Sequence, residues 1–253
     1  ILFLIMGTVI GILSSVGLET NKFNSLISQK ISESNKDISL KLQKIKFKFD
    51  IKKIKLYLET KNPEIIYQNI EIPIQEVKTY INFLSLIETA PKVDKLDLSI
   101  KEIDIDQLKK ILLKTKPSNI NSLIINRVEN GKIKTNIELF FTEDLKVKNF
   151  IAKGEVKKLE ANLFKNLEIK NTNFSFFADS TDMIIKKINS KTDGIVIKNG
   201  NLQIIKNKEI KIKSDFASEI NLNNEKIKEF LPLFGDLNFS NNQTKLIVNI
   251  DNF

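Results

Sequence analysis

The hydrophobic pattern of the chain changes twice, and each change predicts a different kind of structure. Ile1 to Leu18 carries no charged side chain, and an apolar run of about 18 residues is the usual lower limit for a membrane-spanning helix. From Glu19 to Lys36 the apolar residues recur at spacings of three and four, which indicates an amphipathic helix. From Ile38 onward apolar and polar residues alternate. The pattern therefore predicts a helical anchor followed by a β-rich region.

The apolar run at the start of the chain has two alternative interpretations. A secretory signal peptide would have a basic segment before its apolar core and a small-residue cleavage site after it, whereas the chain begins at Ile1 and offers only the poor candidate Ser14–Gly17. A buried core helix would show a polar stripe, and this run offers only Thr8 and two serines. We expect an uncleaved transmembrane anchor, and we expect the sequence to be the N-terminal piece of a longer protein.

Breaks in the alternating pattern place the first strands and helices. The apolar set changes face within Ile38–Ile51, which predicts a long strand with a bulge near Gln43–Lys44. Pro73 and Pro91 bracket a predicted helix with Val77, Tyr80, Ile81, Leu84 and Ile87 on one stripe. Asp104 begins a second predicted helix, with Gln107 at the spacing of a capping box.

The second half of the chain has the pattern of an antiparallel meander. Asn130–Gly131 predicts a hairpin turn between Leu123–Val128 and Ile133–Phe141. Further strands recur about every dozen residues, with a bulge expected at Gly154 and a short helix at Asn224–Leu231. The predicted fold class is mainly β with a few helices (α+β).

The composition removes several kinds of chemistry. The chain has no cysteine and no histidine, so thiolate or imidazole zinc sites, cysteine nucleophiles, disulfides and Ser-His-Asp triads all lack an essential member. Asp104 and Asp106 form a carboxylate pair, but a helix cap accounts for the first and a favourable helix dipole for the second. We expect no enzymatic activity, no metal and no cofactor.

The net charge of +9 raises the question of nucleic-acid binding, because clustered cations neutralise phosphates. The lysines are instead spread along the strands as polar partners of isoleucine and leucine, and Arg127 is the single arginine. Since arginine is the residue that reads guanine edges bidentately, we do not expect specific DNA recognition. The charge indicates a solvated face, with attraction to an anionic membrane surface as the functional alternative.

The order of these segments resembles a known family. An N-terminal apolar run, a pair of strands, the Pro-flanked stretch at Pro73–Ile87, the segment Val93–Leu112 (VDKLDLSIKEIDIDQLKKIL) and a long meander containing Asn130–Thr135 (NGKIKT) are together similar to the AsmA-like superfamily. Within it, the chain resembles the TamB and YhdP type of bridge-like lipid transport proteins. The likeness covers about Ile1 to Leu231 and rests on architecture rather than on catalytic residues.

The resemblance implies a single-pass protein of the bacterial inner membrane with its bulk in the periplasm. Residues 1–36 would be the anchor and amphipathic linker, and residues 37–253 a β-rich domain, incomplete at its C-terminus. Its antiparallel sheet would curve into an open apolar groove, capped by helices at one end, that carries phospholipid toward the outer membrane. The candidate floor residues are Ile45, Phe47, Phe49, Ile137, Leu139, Phe141, Val147, Ile151, Ile210, Ile212 and Phe216. An acyl chain gains about 0.8 kcal/mol per buried CH₂, so such a trough needs no catalytic group.

Two other functions and one other fold remain open at this point. Alternating strands suit a closed sandwich as well as an open groove. The chain could instead be a scaffold that binds outer-membrane or other envelope proteins through its sheet edges. A cytoplasmic nucleic-acid binder would require that Ile1 to Leu18 not span a membrane.

Overall fold

The computed structural model is mainly β, as the sequence predicts, with three helices among the residues it describes. It describes residues 1–21, 24, 28–29, 36–81, 93–142, 146–164, 167–192, 195–206, 210–220 and 244–252. The helices are α1 (Leu2–Ser15), α2 (Ile105–Leu112) and α3 (Asn119–Arg127). The strands are β1 (Leu18–Thr20), β2 (Ile38–Lys41), β3 (Ile45–Asp50), β4 (Lys55–Lys61), β5 (Glu64–Tyr67), β6 (Ile70–Ile72), β7 (Ile74–Ile81), β8 (Val93–Asp104), β9 (Val128–Phe141), β10 (Val147–Phe164), β11 (Leu167–Asp179), β12 (Asp182–Thr192), β13 (Ile195–Lys206), β14 (Ile210–Ile220) and β15 (Thr244–Asn252).

Twelve of these strands form one antiparallel sheet in the order β1-β3-β4-β7-β8-β9-β10-β11-β12-β13-β14-β15. The remaining three form a small sheet in the order β2-β5-β6. By its contacts the chain divides into two compact units. Unit 1 comprises Ile1–Lys101 and Thr135–Ala152, and unit 2 comprises Glu102–Lys134 and Lys153–Phe253.

The first apolar segment forms α1, which contains no charged residue. Most of its large side chains are exposed, among them Phe3, Leu4, Ile5, Met6, Val9 and Ile12. Within the residues that the structure describes, no helix is both long enough and apolar enough to cross a membrane. Gly17, at φ +76°, ends the helical segment, because this backbone conformation is accessible to glycine at little cost.

The predicted helix from Glu19 is wrong at its first residues. Leu18–Thr20 forms β1, an antiparallel strand paired with Ile45–Phe47 of β3. Further along the segment, Asn24, Ser28 and Gln29 are helical, and the other positions of 22–35 lie outside the described residues.

The predicted bulged strand at Ile38–Ile51 is two strands in two different sheets. β2 pairs with β5 in the small sheet, and β3 pairs with β4 in the large one. The change of apolar face near Gln43–Lys44 therefore marks a change of sheet rather than a bulge. The hairpin between β5 and β6 turns at Gln68 and Asn69, both at positive φ, as a type I′ turn requires.

The predicted helix after Pro73 is also wrong as far as the structure describes it. Ile74–Ile81 forms β7, and Leu84 and Ile87 lie outside the described residues. In β7, Val77, Thr79 and Ile81 pair with residues of neighbouring strands on one face, while Tyr80 belongs to the other face. The apparent helical spacing arose because both faces of this strand carry large side chains.

The helix predicted at Asp104 is confirmed as α2, although the Asp104 side chain makes no capping hydrogen bond. The hairpin predicted at Asn130–Gly131 is wrong, because these residues lie inside the single strand β9, and the residues before it form α3. Ser118 begins α3 by accepting a hydrogen bond at its Oγ from the Asn121 amide at 3.1 Å.

Each unit has its own buried residues. In unit 1 the buried apolar side chains include Ile45, Leu56, Ile74 and Ile81. In unit 2, α2 and α3 pack onto the sheet: Ile105, Val128 and Ala161 are buried, with Leu108, Ile124, Leu159 and Ile169 against them. The helix predicted at Asn224–Leu231 lies outside the described residues.

Candidate functional site

The sheet of unit 1 has one face that is almost entirely apolar. Residues paired across neighbouring antiparallel strands lie on the same face, and the register places Phe47 beside Leu58 and Phe49 beside Leu56. The row continues into β7 and β8, where Thr79 pairs with Leu96. We call this surface the apolar face; its members are Leu18, Ile45, Phe47, Phe49, Leu56, Leu58, Thr60, Val77, Thr79, Ile81, Val93, Leu96 and Leu98.

Strand β9 extends the apolar face. The Lys95 ammonium lies 2.5 Å from a Glu138 carboxylate oxygen and 5.4 Å from the centroid of the Phe140 ring. Glu138 and Phe140 therefore share a face with Lys95, which is opposite to the apolar face. By the alternation of a strand, Ile137, Leu139 and Phe141 lie on the apolar face. Five strands from β3 to β9 span about 19 Å at the usual strand spacing.

Most side chains of the apolar face are partly exposed to solvent. Ile45, Leu56 and Ile81 are buried, whereas Phe47, Phe49, Leu58, Leu96, Leu98 and the three β9 residues are partly exposed. Leu18 and Val16 are exposed, and Leu18 pairs with Phe47. The exposed apolar surface of α1 thus continues through Val16 and Leu18 onto the sheet.

The opposite face of unit 1 carries a network of ion pairs, which we call the charged face. Glu59, only 4% exposed, lies 2.8 Å from the Lys48 ammonium and 3.9 Å from that of Lys78. Lys78 also pairs with Glu76 at 2.8 Å. Lys95 bridges Asp97 and Glu138, at 2.8 and 2.5 Å. In the part of the chain that the structure describes, cations and carboxylates of this face are matched neighbour to neighbour.

Burial and charge shift the pKa values within the charged face. Burial acts to raise the pKa of Glu59, but the hydrogen bond and the charge of Lys48 outweigh it and hold that pKa below its ordinary value. For Lys95, burial acts to lower the pKa, and the bonds to Asp97 and Glu138 overcome this and raise it. These residues therefore stay ionised at neutral pH.

Two tyrosines lie within the charged face. The rings of Tyr57 and Tyr80 are 5.3 Å apart, and the Lys53 ammonium lies 4.6 Å from the Tyr80 ring centroid and 3.1 Å from its hydroxyl. Burial, together with the charges of Asp97 and Asp50, raises the pKa of Tyr80 to about 12. Tyr80 is buried, so an aromatic ring and lysine side chains pack together within this polar face.

The eleven predicted floor residues divide between the two units. Ile45, Phe47, Phe49, Ile137, Leu139 and Phe141 come together on the apolar face of unit 1. Ile151 is half-buried and Val147 is exposed, both on β10. Ile210, Ile212 and Phe216 belong to β14 in unit 2; the backbone of Ile210 pairs with Lys206, and its side chain lies outside the described part.

Unit 2 has an apolar face of its own. Ile212 pairs with Ile204, which pairs with Met183. The same face carries Phe176, Ile185, Leu202 and Phe216. The Phe216 ring lies directly over Gly200 and the Phe176 ring over Gly154, so that any larger residue at either glycine would overlap an aromatic ring. Of the predicted floor, Ile212 and Phe216 are half-buried on this face.

A row of hydrogen-bonded asparagines crosses unit 2 and was missed at the sequence level. Asn173 and Asn189 are paired across β11 and β12. The Asn173 Oδ1 accepts from the Lys158 amide at 3.0 Å, and the Asn189 Oδ1 accepts from the Asn199 amide at 3.2 Å. Lys158 and Asn199 both have positive φ, so the asparagines hold bulged positions of the flanking strands.

The signal for this row is a short repeat. A residue with positive φ is followed two positions later by asparagine at Asn171–Asn173, Lys187–Asn189 and Asn199–Asn201. In each case the asparagine amide donates to the carbonyl of the positive-φ residue, at 2.9–3.4 Å. Beside the row, the Thr172 and Ser190 hydroxyls share a buried 2.6 Å hydrogen bond. In the sequence the repeat appears only as Asn or Lys two residues before Asn, and the backbone φ and the strand register are needed to recognise its role.

Among the described residues, no cluster of carboxylates could hold a metal ion. The described surfaces of unit 1 include the apolar face and the charged face, whose ions are paired.

Comparison with known proteins identifies no family or relative of this chain. No protein family, no curated protein and no solved structure matches this chain.

Proposed function

We propose that this protein binds the acyl chains of phospholipids on the apolar face of unit 1 and carries them without chemical change. The observation that carries the proposal is the contrast between the two faces of one sheet. One face pairs its charges within itself, and the other presents partly exposed phenylalanine and leucine side chains over five strands. Contiguous exposed apolar surface of this extent marks interaction sites in proteins.

The energetics suit a lipid tail. Each methylene moved from water onto an apolar surface contributes about 0.8 kcal/mol, and two strands of six or seven residues present a trough roughly 20 Å long. The phosphate headgroup would stay in water, and the net charge of +9 favours anionic headgroups. The AsmA-like resemblance implies an open apolar groove, and we propose that the apolar face of unit 1 forms the floor of such a groove.

The exposed apolar surface of α1 supports a proposal of membrane association. α1 carries no charge and exposes apolar side chains on every turn, which would suit burial in lipid better than exposure to water. We propose that α1 holds the protein at the bacterial inner membrane with the sheet in the periplasm. Lipid leaving the bilayer beside α1 would then meet Leu18 and Phe47 first.

Mass spectrometry of the purified protein tests the lipid proposal. The full chain would be extracted in three chemically different detergents, washed, and analysed for co-purifying lipid. We expect phospholipid in all three preparations and its marked reduction in the double variant Leu58→Gln/Leu98→Gln, because both changes place an amide on the apolar face.

A matched variant controls for general damage. Lys46→Gln/Lys55→Gln changes two residues of the charged face and should leave the lipid content unchanged. Circular dichroism of each variant establishes that the sheet is retained. Lipid-free protein from all three detergents would refute the proposal, and a protein that co-purifies in place of lipid would favour the scaffold function.

A further inference from the structure

The helical pair α2 and α3 in unit 2 exposes apolar side chains that its own core does not use. Ile105, Leu108 and Ile124 face the buried cluster of the unit. Leu113, at the end of α2, is 66% exposed, and Ile120 and Leu123 on α3 are 55% and 52% exposed. Residues three apart on a helix lie on one side, so Ile120 and Leu123 form a single apolar stripe.

The same helical pair is strongly cationic. Between Ile105 and Arg127 there are five cations, Lys109, Lys110, Lys114, Lys116 and Arg127, against one carboxylate, Asp106. Their balance of +4 is a large share of the chain's net charge of +9, in 23 residues. The nearest carboxylates before α2, Glu102 and Asp104, both lie within 4 Å of Lys132, at 3.5 and 3.9 Å.

The connection between the helices is held by its own hydrogen bonds. The Asn121 side-chain amide donates to the Thr115 hydroxyl at 2.9 Å and to the Lys116 carbonyl at 3.1 Å. The Thr115 hydroxyl in turn donates to the Leu112 carbonyl at 2.8 Å. The exposed leucines and isoleucine are thus presented by an ordered support, which lowers the entropy cost of binding.

We infer that this helical pair docks on the surface of a bilayer containing anionic phospholipid. Exposed apolar side chains among lysines are the combination by which peripheral helices enter the headgroup region, with the apolar part inserted and the cations at the phosphates. The net positive charge selects an anionic surface. This docking goes beyond the lipid carriage proposed for unit 1, and uses none of the apolar-face residues.

An environment-sensitive fluorophore on a single cysteine tests the docking. The chain contains no cysteine, so Leu123→Cys gives a unique label in the full protein. The labelled protein is reconstituted into vesicles of phosphatidylcholine alone or of phosphatidylcholine with about a third phosphatidylglycerol. We expect a blue-shifted emission, quenched by spin-labelled lipid, in the anionic vesicles and a water-like emission in the neutral ones.

A charge variant and a second label complete the experiment. Each lysine near an anionic surface contributes about 1 kcal/mol, so Lys110→Gln/Lys116→Gln should weaken the interaction roughly tenfold or more and abolish the blue shift. A label at Phe177→Cys, which is 36% exposed on β11, should give the same emission in both vesicle types.

Three results would overturn the inference. They are a water-like Leu123→Cys signal in anionic vesicles, an equal blue shift in both vesicle types, and an equal response of the label at position 177. Lipid content measured by mass spectrometry is independent of this signal, so failure of the docking and failure of lipid carriage are distinguishable.

Discussion

At the scale of single residues, the charged face of unit 1 is organised around Glu59. Its carboxylate is nearly inaccessible to water and lies between Lys48 and Lys78. A buried charge that loses its partner is costly. Lys48 is the close partner of Glu59, at 2.8 Å, whereas Lys78 lies 3.9 Å from Glu59 and pairs more closely with Glu76. The result is a β-strand whose polar side is held in one arrangement.

Replacing Glu59 by glutamine should destabilise the protein by roughly 2 kcal/mol, because the partly buried Lys48 ammonium loses the carboxylate that lies 2.8 Å from it. Lys78 keeps its ion pair with Glu76. Chemical unfolding of the full chain, followed by circular dichroism, measures this loss. Glu19→Gln is the matched control, since Glu19 pairs with Lys44 and Lys46 in the solvent and should change little. Equal effects of the two substitutions would contradict the role given to Glu59.

The same pair predicts a dependence on pH. The folded pKa of Glu59 lies below the ordinary value of 4.5, so its stabilisation is present above about pH 4.5 and is lost as the pH falls through the lower, folded pKa. The difference in unfolding free energy between the wild type and Glu59→Gln should therefore shrink in acid.

The sequence predicts which residues of a strand lie on the apolar face and which lie on the polar face. It does not predict which residues of the neighbouring strands they contact. Alternation places Phe47 and Phe49 on an apolar side, and along β9 it places Phe140 on the same side as the polar residue Glu138. The structure accounts for Phe140 by the Lys95 ammonium against its ring, and that contact depends on the register between strands far apart in sequence. Neither alternation nor composition contains the register.

At the scale of elements, glycine positions decide how closely the strands of unit 2 approach. The sequence suggested a bulge at Gly154, whereas the positive φ on β10 occurs at Lys158. Gly154 instead leaves room for the Lys134 carbonyl and the Phe176 ring. A glycine within a strand can mark a β-bulge or a close approach by a neighbouring group. The residues on the neighbouring strands determine which of the two occurs.

Gly154→Ala should destabilise the protein by about 2 kcal/mol, because the added methyl group would overlap a backbone carbonyl that cannot move freely. Gly7→Ala is the control: nothing lies within 4 Å of the added methyl, and alanine favours the helix by about 1 kcal/mol. Chemical unfolding of both variants measures the difference. A Gly154→Ala protein as stable as the wild type would contradict the close approach.

The elements that the sequence predicted wrongly share one cause. β7 carries large side chains on both faces, so the spacing of its apolar residues matched that of a helix. The residues of α3 were predicted to form a strand because Asn130–Gly131 has the sequence of a hairpin turn. Pairing with neighbouring strands makes Ile74–Ile81 a strand, and Asn130–Gly131 are held inside β9, a strand of the large sheet, instead of forming a turn. α2 was predicted correctly because its apolar residues Ile105 and Leu108 do pack into the buried cluster of unit 2.

At the scale of the whole molecule, two surfaces of the described residues are candidates for function. Unit 1 offers a partly exposed apolar face backed by matched charges, and unit 2 offers a cationic helical pair with exposed leucine. We propose acyl chains as the ligand of the first surface and an anionic bilayer as the partner of the second. Six of the eleven predicted floor residues lie on the first surface, and none of them lies on α2 or α3.

Photo-crosslinking along β3 in membranes tests the lipid proposal most directly. A photoreactive phenylalanine analogue is placed in turn at Lys46, Phe47 and Phe49 of the full chain, and adducts are identified by mass spectrometry. We expect phospholipid adducts at positions 47 and 49 and none at position 46, because only the first two lie on the apolar face. Lipid adducts equal at all three positions, or protein adducts alone at 47 and 49, would contradict the proposal.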